Sequence, residues 1–230
     1  MKITHYGSGS HGNAYLVDTT LIDCGLQIDY SEIEFDKVLI THAHIDHIRY
    51  LWQVLQKAES WFAPEAVFDN ILEKTKRHPK NKQLHKMMYD KLKPSVPYFE
   101  LNHDVPCVGY DFGEYIHLGD TAYPNTSVIP KGKTLYTIES NYDTEMLEAT
   151  DRPDFLIDRI KETHLSNELA WELAQELQAK NVIYVHLSRE SNSPKLARAT
   201  HLSLGSVGDY PKDKKVYDIA NLTGLNANDK

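Results

Sequence analysis

The sequence predicts a mixed α/β chain folded as a four-layer αββα sandwich, with a helical insertion around residues 60–93. Two observations carry this. Strand signals crowd the start and strand–helix signals follow, an order that suits two sheets with helices outside them. No GxGxxG loop is present, which removes the main pointer to a doubly wound nucleotide-binding sheet. The 230 residues suit one large domain, 1–230, able to bury a core.

Taken in order, residues 2–6 and 13–18 read as short strands joined by Gly7-Ser8-Gly9-Ser10-His11-Gly12, whose glycines allow a tight turn. A third strand ends in Leu21-Ile22-Asp23-Cys24-Gly25. Val38-Leu39-Ile40 reads as a buried strand, and Ile48, Leu51, Trp52, Val54 and Leu55 mark an amphipathic helix after it. Helical segments fill most of 51–92, broken near Pro64 and Pro79. Strands recur at 95–101, 105–112, 115–118 and 134–139. Then come a strand Phe155-Leu156-Ile157, a helix over 167–179, a strand Val182-Ile183-Tyr184-Val185, a helix near 194–199 and a terminal strand at 216–220.

The most informative stretch is Thr41-His42-Ala43-His44-Ile45-Asp46-His47-Ile48, with three imidazoles and a carboxylate within six residues at a strand-to-helix turn. Neutral imidazole and carboxylate suit Zn²⁺, Mn²⁺ or Fe²⁺, so the stretch is read as a divalent-metal site rather than a surface histidine cluster. Composition sets the surroundings. Hydrophobic content of 41% excludes a disordered chain. Cys24 and Cys107, flanked by apolar residues, form no CxxC pair and read as small core residues. No signal-peptide core or long apolar span is seen, which makes the cytoplasm the expected compartment. The net charge of −8 argues against wholesale nonspecific nucleic-acid binding but leaves room for a local basic surface. Such a surface is offered by Lys74, Lys76, Arg77, Lys80, Lys82, Lys86, Lys91 and Lys93, opposed in that segment by Asp90 alone. It is either a phosphate-tracking patch beside the active site, with Lys74, Lys76, Arg77, Lys80 and Lys82 on the strand, or a solvated lysine face.

His164 stands before Ser166-Asn167, a good helix N-cap, and the helix start behind it offers free N–H groups suited to phosphate. A histidine there can stabilise charge on phosphorus or protonate a leaving oxygen. His5, His85, His117 and His201 read as ordinary core or surface residues.

The octad matches the HxHxDH signature and resembles the metallo-β-lactamase family. That resemblance implies two divalent ions, Zn²⁺ or Mn²⁺, in a cleft between two sheets. By resemblance, His42 and His44 hold the first ion and His103 completes it; Asp46 and His47 hold the second and His186 completes it; Asp120 bridges both. Asp23 would accept a hydrogen bond from a ligating imidazole and fix its tautomer.

Further segments, Gly7-Ser8-Gly9-Ser10-His11-Gly12-Asn13, Leu21-Ile22-Asp23-Cys24-Gly25, Glu139-Ser140-Asn141-Tyr142-Asp143, His164-Leu165-Ser166-Asn167 and His186-Leu187-Ser188-Arg189-Glu190, resemble the YycJ-type group. That group comprises bacterial proteins regarded as DNA exonucleases, related to ribonucleases Z and J; in length this chain resembles phage-borne relatives. It departs from the group at His11, where a small residue is usual, near Arg49–Tyr50, where a glycine is usual, and at Ser191, where an asparagine is usual. The function implied is a two-metal phosphodiesterase or nuclease working through a metal-bridging hydroxide that Asp46 orients, with His164 at the phosphate. DNA is favoured over RNA as substrate, no membrane is expected, and a homodimer is left open. The runners-up are a small-molecule hydrolase of the thioesterase, lactonase or glyoxalase II kind and a cyclic-nucleotide phosphodiesterase. A redox di-iron centre lacks its flavin-binding domain here, and a dead binding scaffold is disfavoured because every ligand position is filled.

Overall fold

Short apolar runs bounded by turn residues make most strands of the chain, which the computed structural model describes over residues 1–93, 96–205 and 208–222. Two compact units result, Met1–Val96 with Asp213–Asp218, and Pro97–Lys212 with Ile219–Lys230.

In the first unit, β1 (Lys2–Gly7), β2 (Ala14–Val17) and β3 (Thr20–Ile22) form an antiparallel meander. β4 (Lys37–Leu39) pairs parallel to β3 and β5 (Ser60–Phe62) parallel to β4, and β11 (Lys215–Asp218) closes the far edge against β1. The order is β11-β1-β2-β3-β4-β5. Because β3 and β4 are parallel, their C-terminal ends lie side by side, and the Asp23 N–H donates to Leu39 O at 2.9 Å just past them. The chain leaves β4 into α1 (Ile45–Ile48) and α2 (Leu51–Lys57). α2 buries Leu51, Val54 and Leu55, the i, i+3, i+4 stripe that the sequence showed. Its last carbonyls, Leu55 O and Ala58 O, accept from Lys91 Nζ, a cation placed at the negative end of a helix. The insertion is built from α3 (Glu65–Thr75) and α4 (Asn81–Lys91). Trp61 fastens it to the sheet: its Nε1–H donates to Met88 O at 2.6 Å and its ring stacks on Phe68 at 5.6 Å.

In the second unit, β6 (Tyr98–Leu101), β7 (Cys107–Asp111), β8 (Tyr115–His117), β9 (Leu135–Glu139) and β10 (Val182–Val185) form a sheet in the order β10-β9-β8-β7-β6. β8, β9 and β10 are parallel, and every residue of β9 and β10 is buried, as continuous apolar runs predict. The helices are α5 (Thr144–Glu148), α6 (Asp154–Thr163), α7 (Asn167–Glu176) and α8 (Pro194–Ser203). Ala170, Leu173 and Ala174 of α7 share one buried cluster with Tyr136, Ile138 and Tyr184 of the sheet. Each large side chain so buried contributes about 1.5–3 kcal/mol.

Four expectations are corrected. Phe155-Leu156-Ile157 is helical, within α6, not a strand. Pro153 fixes the helix start, and the half-buried Leu156, Ile157 and Ile160 follow the helical spacing that the triplet alone conceals. Residues 60–62 form a strand inside the segment expected to be helical; three residues are too few to show alternation. The helix expected over 167–179 ends at Glu176, with Gln178 in the left-handed conformation (φ 52°) that closes helices. The terminal strand stops at Asp218 and continues as a 3₁₀ turn, Ile219–Asn221. The strand expected over 95–101 is observed from Tyr98, and its expected start at Ser95 lies outside the described residues. Among the described residues, no helix is long and apolar enough to cross a membrane.

Candidate functional site

The first unit gathers its donors at the C-terminal ends of β3 and β4. Asp23 follows β3 in the left-handed conformation (φ 57°), fully buried. Its Oδ1 accepts the Thr41 N–H and its Oδ2 accepts the Thr41 hydroxyl, both at 2.9 Å. Oδ2 also takes the His47 Nδ1–H at 2.7 Å. That contact keeps a proton on His47 Nδ1 and leaves Nε2 as the ring nitrogen able to meet a cation. His42 Nε2 and His44 Nδ1 approach to 3.1 Å, and the His42 and His47 rings lie 3.9 Å apart. Asp46 Oδ2 stands 3.6 Å from His47 Nε2. Nitrogen and carboxylate atoms converging at such distances fit a divalent cation of borderline softness.

Backbone contacts hold this cluster. Asn13 N–H donates to Asp46 O at 2.8 Å, and Cys24 N–H donates to His47 O at 2.7 Å. The Asn13 side chain accepts the Gly9 N–H at 3.0 Å, while its Nδ2 lies 2.9 Å from His47 Nε2 and 3.3 Å from Asp46 Oδ2. Gly25 is obligatory: a Cβ there would sit 1.6 Å from Asp46 O. Asn13 was given no role by sequence reasoning; its signals were its place after a glycine-rich turn and at the end of a segment that resembles the YycJ-type group.

The second unit repeats the device, with donors at the ends of parallel strands. Asp120 follows β8, Glu139 ends β9 and His186 follows β10, again in the left-handed conformation (φ 55°). Glu139 is fully buried and binds three neighbours. Its Oε1 accepts the Thr121 N–H at 2.6 Å, and its Oε2 accepts Nδ1–H from His164 at 2.9 Å and from His186 at 3.2 Å. Burial alone would raise the Glu139 carboxyl, but the His164 charge and the hydrogen bonds from both imidazoles outweigh it and hold the group below the usual carboxylate range. Burial likewise disfavours charge on His164, yet Glu139 beside it, with a lesser contribution from Asp120, raises its pKa above the ordinary value. His186 Nε2 lies 3.3 Å from Asp120 Oδ2. The peptide group of His186 is fixed from behind by Asn141 Nδ2–H, which donates to His186 O at 3.1 Å. His103 donates Nδ1–H to Thr163 O at 2.9 Å, and its ring centroid is 5.2 Å from that of His164. His164 and His186 therefore meet at Glu139, Asp120 lies against His186 and His103 against the His164 ring; in the sequence Glu139 stood only within a resembling segment, with no role given to it. Its signal was available: an acid closing a buried strand occupies the same station as Asp120 and His186.

The basic segment is less uniform than its sequence. Lys76 pairs with Glu73, Lys86 lies 3.9 Å from Asp90, and Lys91 is spent on α2 carbonyls. Lys74, Arg77 and Lys82 are exposed, and Lys80 Nζ lies over the Trp52 ring at 4.9 Å. Cys24 and Cys107 are buried free thiols, as expected.

Imidazole and carboxylate clusters at strand ends, in a mixed α/β chain with two sheets, define a metal-dependent hydrolase of the metallo-β-lactamase fold. Residues 21–187 match the family described as the beta-lactamase superfamily domain, and the chain belongs to it. The exodeoxyribonuclease WalJ of Streptococcus pneumoniae is 28% identical over 254 residues, spanning 95% of this chain and 94% of its own. The exodeoxyribonuclease YycJ of Bacillus anthracis is 28% identical, over 83% of this chain and 84% of its own. Among solved structures, the metallo-beta-lactamase fold protein YhfI from Bacillus subtilis matches with a TM-score of 0.68 at 15% identity, over 94% of this chain and 99% of that one. The relatives bear out the YycJ-type resemblance, and YhfI bears out the fold.

Proposed function

We propose that this protein is a two-metal nuclease that hydrolyses phosphodiester bonds, with DNA as the foremost substrate. The observation that carries it is the His164–Glu139 pair placed just before α7, whose N-terminus is capped by Ser166. A thioester or lactone hydrolase has no use for an imidazole of raised pKa beside a helix start, whereas a departing nucleotide oxygen needs a proton and a phosphate is favoured at the positive end of a helix. The names of the two exodeoxyribonuclease relatives support the same substrate class.

The ligand roles follow the family's motif order: His42, His44 and His103 for one cation, Asp46, His47 and His186 for the other, and Asp120 for both. When bound, two divalent cations supply Lewis acidity and make water acidic enough to deprotonate near neutral pH. The chain does the rest. Asp23 and Glu139 hold the Nδ1 protons of His47 and His186 and so aim their Nε2 atoms. Asp46 orients the attacking water. Glu139 stabilises the charged form of His164, which delivers a proton from Nε2 to the leaving oxygen. At the start of α7 the Asn167 N–H donates to Tyr142 O and the Leu169 N–H to Ser166 Oγ, so it is the positive end of the helix dipole that faces the phosphate charge. Lys74, Lys76, Arg77, Lys80 and Lys82 follow the backbone of the strand beyond the reacting phosphate.

The test is turnover of 5′- and 3′-labelled DNA, RNA and cyclic nucleotides, with a thioester and a lactone beside them, in Mn²⁺ or Zn²⁺. Metal-dependent shortening of labelled DNA is expected. Turnover of the thioester, the lactone or cyclic nucleotides without polymer cleavage would overturn the proposal.

A further inference from the structure

Trp52 stands out on α2. The buried stripe of that helix is Leu51, Val54 and Leu55, and Trp52 falls beside it with its ring partly exposed. The two groups arranged about the ring both come from the turn between α3 and α4. Lys80 Nζ lies 4.9 Å from the ring centroid, and the His78 ring lies at 6.0 Å, tilted by 33°. That turn is built to hold them. The Lys80 N–H donates to His78 Nδ1 at 3.1 Å, the Asn81 N–H to His78 O at 3.0 Å, and Asn81 Nδ2–H to Lys76 O at 2.7 Å. Between the metal motif and Trp52 comes Arg49, exposed, with Nη1 on His11 O at 3.0 Å. Chain order therefore runs from ligand (His47) to guanidinium (Arg49) to aromatic ring (Trp52), with Lys80 beyond.

We propose that Trp52, braced by Lys80 and His78, is a stacking platform for an unpaired base of the bound strand. The proposal rests on the nuclease reading and deepens it: the strand is engaged with its bases turned out, not as a paired duplex. A π system with one face backed by the Lys80 cation leaves its other face for a nucleobase carried on a phosphate backbone. Stacking tolerates every base and is worth about 1–3 kcal/mol per base. Arg49, exposed and three residues before Trp52, offers a guanidinium that matches phosphate geometry. The exposed Lys74, Arg77 and Lys82 supply the surrounding positive charge.

The experiment compares binding of two phosphorothioate-linked probes, which resist hydrolysis, to the metal-loaded protein. One is oligothymidylate; the other has the same length but carries abasic sites. Wild type should bind the thymidylate roughly tenfold more tightly, the effect of about 1.4 kcal/mol of stacking. Trp52→Leu keeps apolar bulk and should lose most of that preference, whereas Trp52→Phe keeps a π face and should retain it. A second readout needs no change at Trp52. Of the three tryptophans, Trp61 is buried, so in a Trp171→Phe protein thymidylate should quench the fluorescence of Trp52 and the abasic strand should not. A wild type indifferent to the bases, a Trp52→Leu protein that keeps the preference, or equal quenching by both probes would each overturn the platform. Cleavage of labelled DNA by wild type decides the nuclease reading separately, so each can fail alone.

Discussion

Asp23 and His186 share a backbone conformation that non-glycine residues seldom adopt, with φ of 57° and 55°. Such positions cost on the order of 1 kcal/mol or more and persist where the surroundings over-determine them. Here both follow a strand end and turn a side chain into a cluster of ligand-type groups. Asparagine tolerates the left-handed region, which makes Asp23→Asn a clean test of the carboxylate. The variant should stay folded, while Zn²⁺ or Mn²⁺ affinity falls roughly 10- to 100-fold by calorimetric titration, because His47 loses the acceptor that fixes its tautomer. Unchanged affinity would reduce Asp23 to a turn residue. A second residue reports stability instead. His201 is buried against Tyr184, with Nε2–H donating to Asn167 O at 2.8 Å, and burial pushes its pKa down to about 4 from 6.5. The unfolded chain therefore takes up a proton between pH 6.5 and 4 that the folded chain refuses. Stability from this residue is complete above that window and is lost as pH falls through it, by on the order of 3 kcal/mol. Urea melts of wild type and His201→Gln at pH 7 and pH 5 should show wild type losing more; parallel losses would contradict this. The sequence offered His201 as an ordinary core or surface residue; it is buried.

Strand ends do most of the positioning. In each sheet the donors follow parallel strands, because parallel pairing brings equivalent ends together: Asp23 and His42 after β3 and β4, and Asp120, Glu139 and His186 at β8, β9 and β10. This explains why the octad was legible and Glu139 was not. The octad carries its chemistry in consecutive residues, whereas Glu139 acquires meaning only once β9 lies between β8 and β10. Long periodic elements such as α2 and α7 could be read from their apolar spacing. β5 and α6 could not, since one is three residues long and the other opens on an apolar triplet that fits either state. Gly25, just past β3, makes a sharper demand. Gly25→Ala would drive a Cβ into Asp46 O, 1.6 Å away, and displace α1 from β3. Thermal melts should show a loss of roughly 3 kcal/mol or unfolding, with weakened metal binding. A variant as stable and as metal-competent as wild type would refute the close packing there.

Across the molecule, charge is divided unevenly. A chain of net charge −8 keeps exposed cations on the α3–α4 turn and concentrates imidazoles and carboxylates at strand ends in both compact units. Fold class, family and the motif residues were legible because the HxHxDH stretch and the order of later motifs are written locally. The local surroundings of Trp52 and Glu139 were not, because their partners lie 26 and 25 residues further along the chain, at His78 and His164.

The decisive measurement pairs metal content with turnover of end-labelled DNA on the same preparations of wild type and His164→Ala. Wild type should hold close to two divalent ions and cleave. His164→Ala should hold the same ions and the same fold, with turnover lower by roughly 10²-fold, since the proton donor is removed and no ligand is. Full activity in the variant, or loss of metal along with activity, would contradict a proton-delivering His164 at a two-metal phosphodiesterase centre.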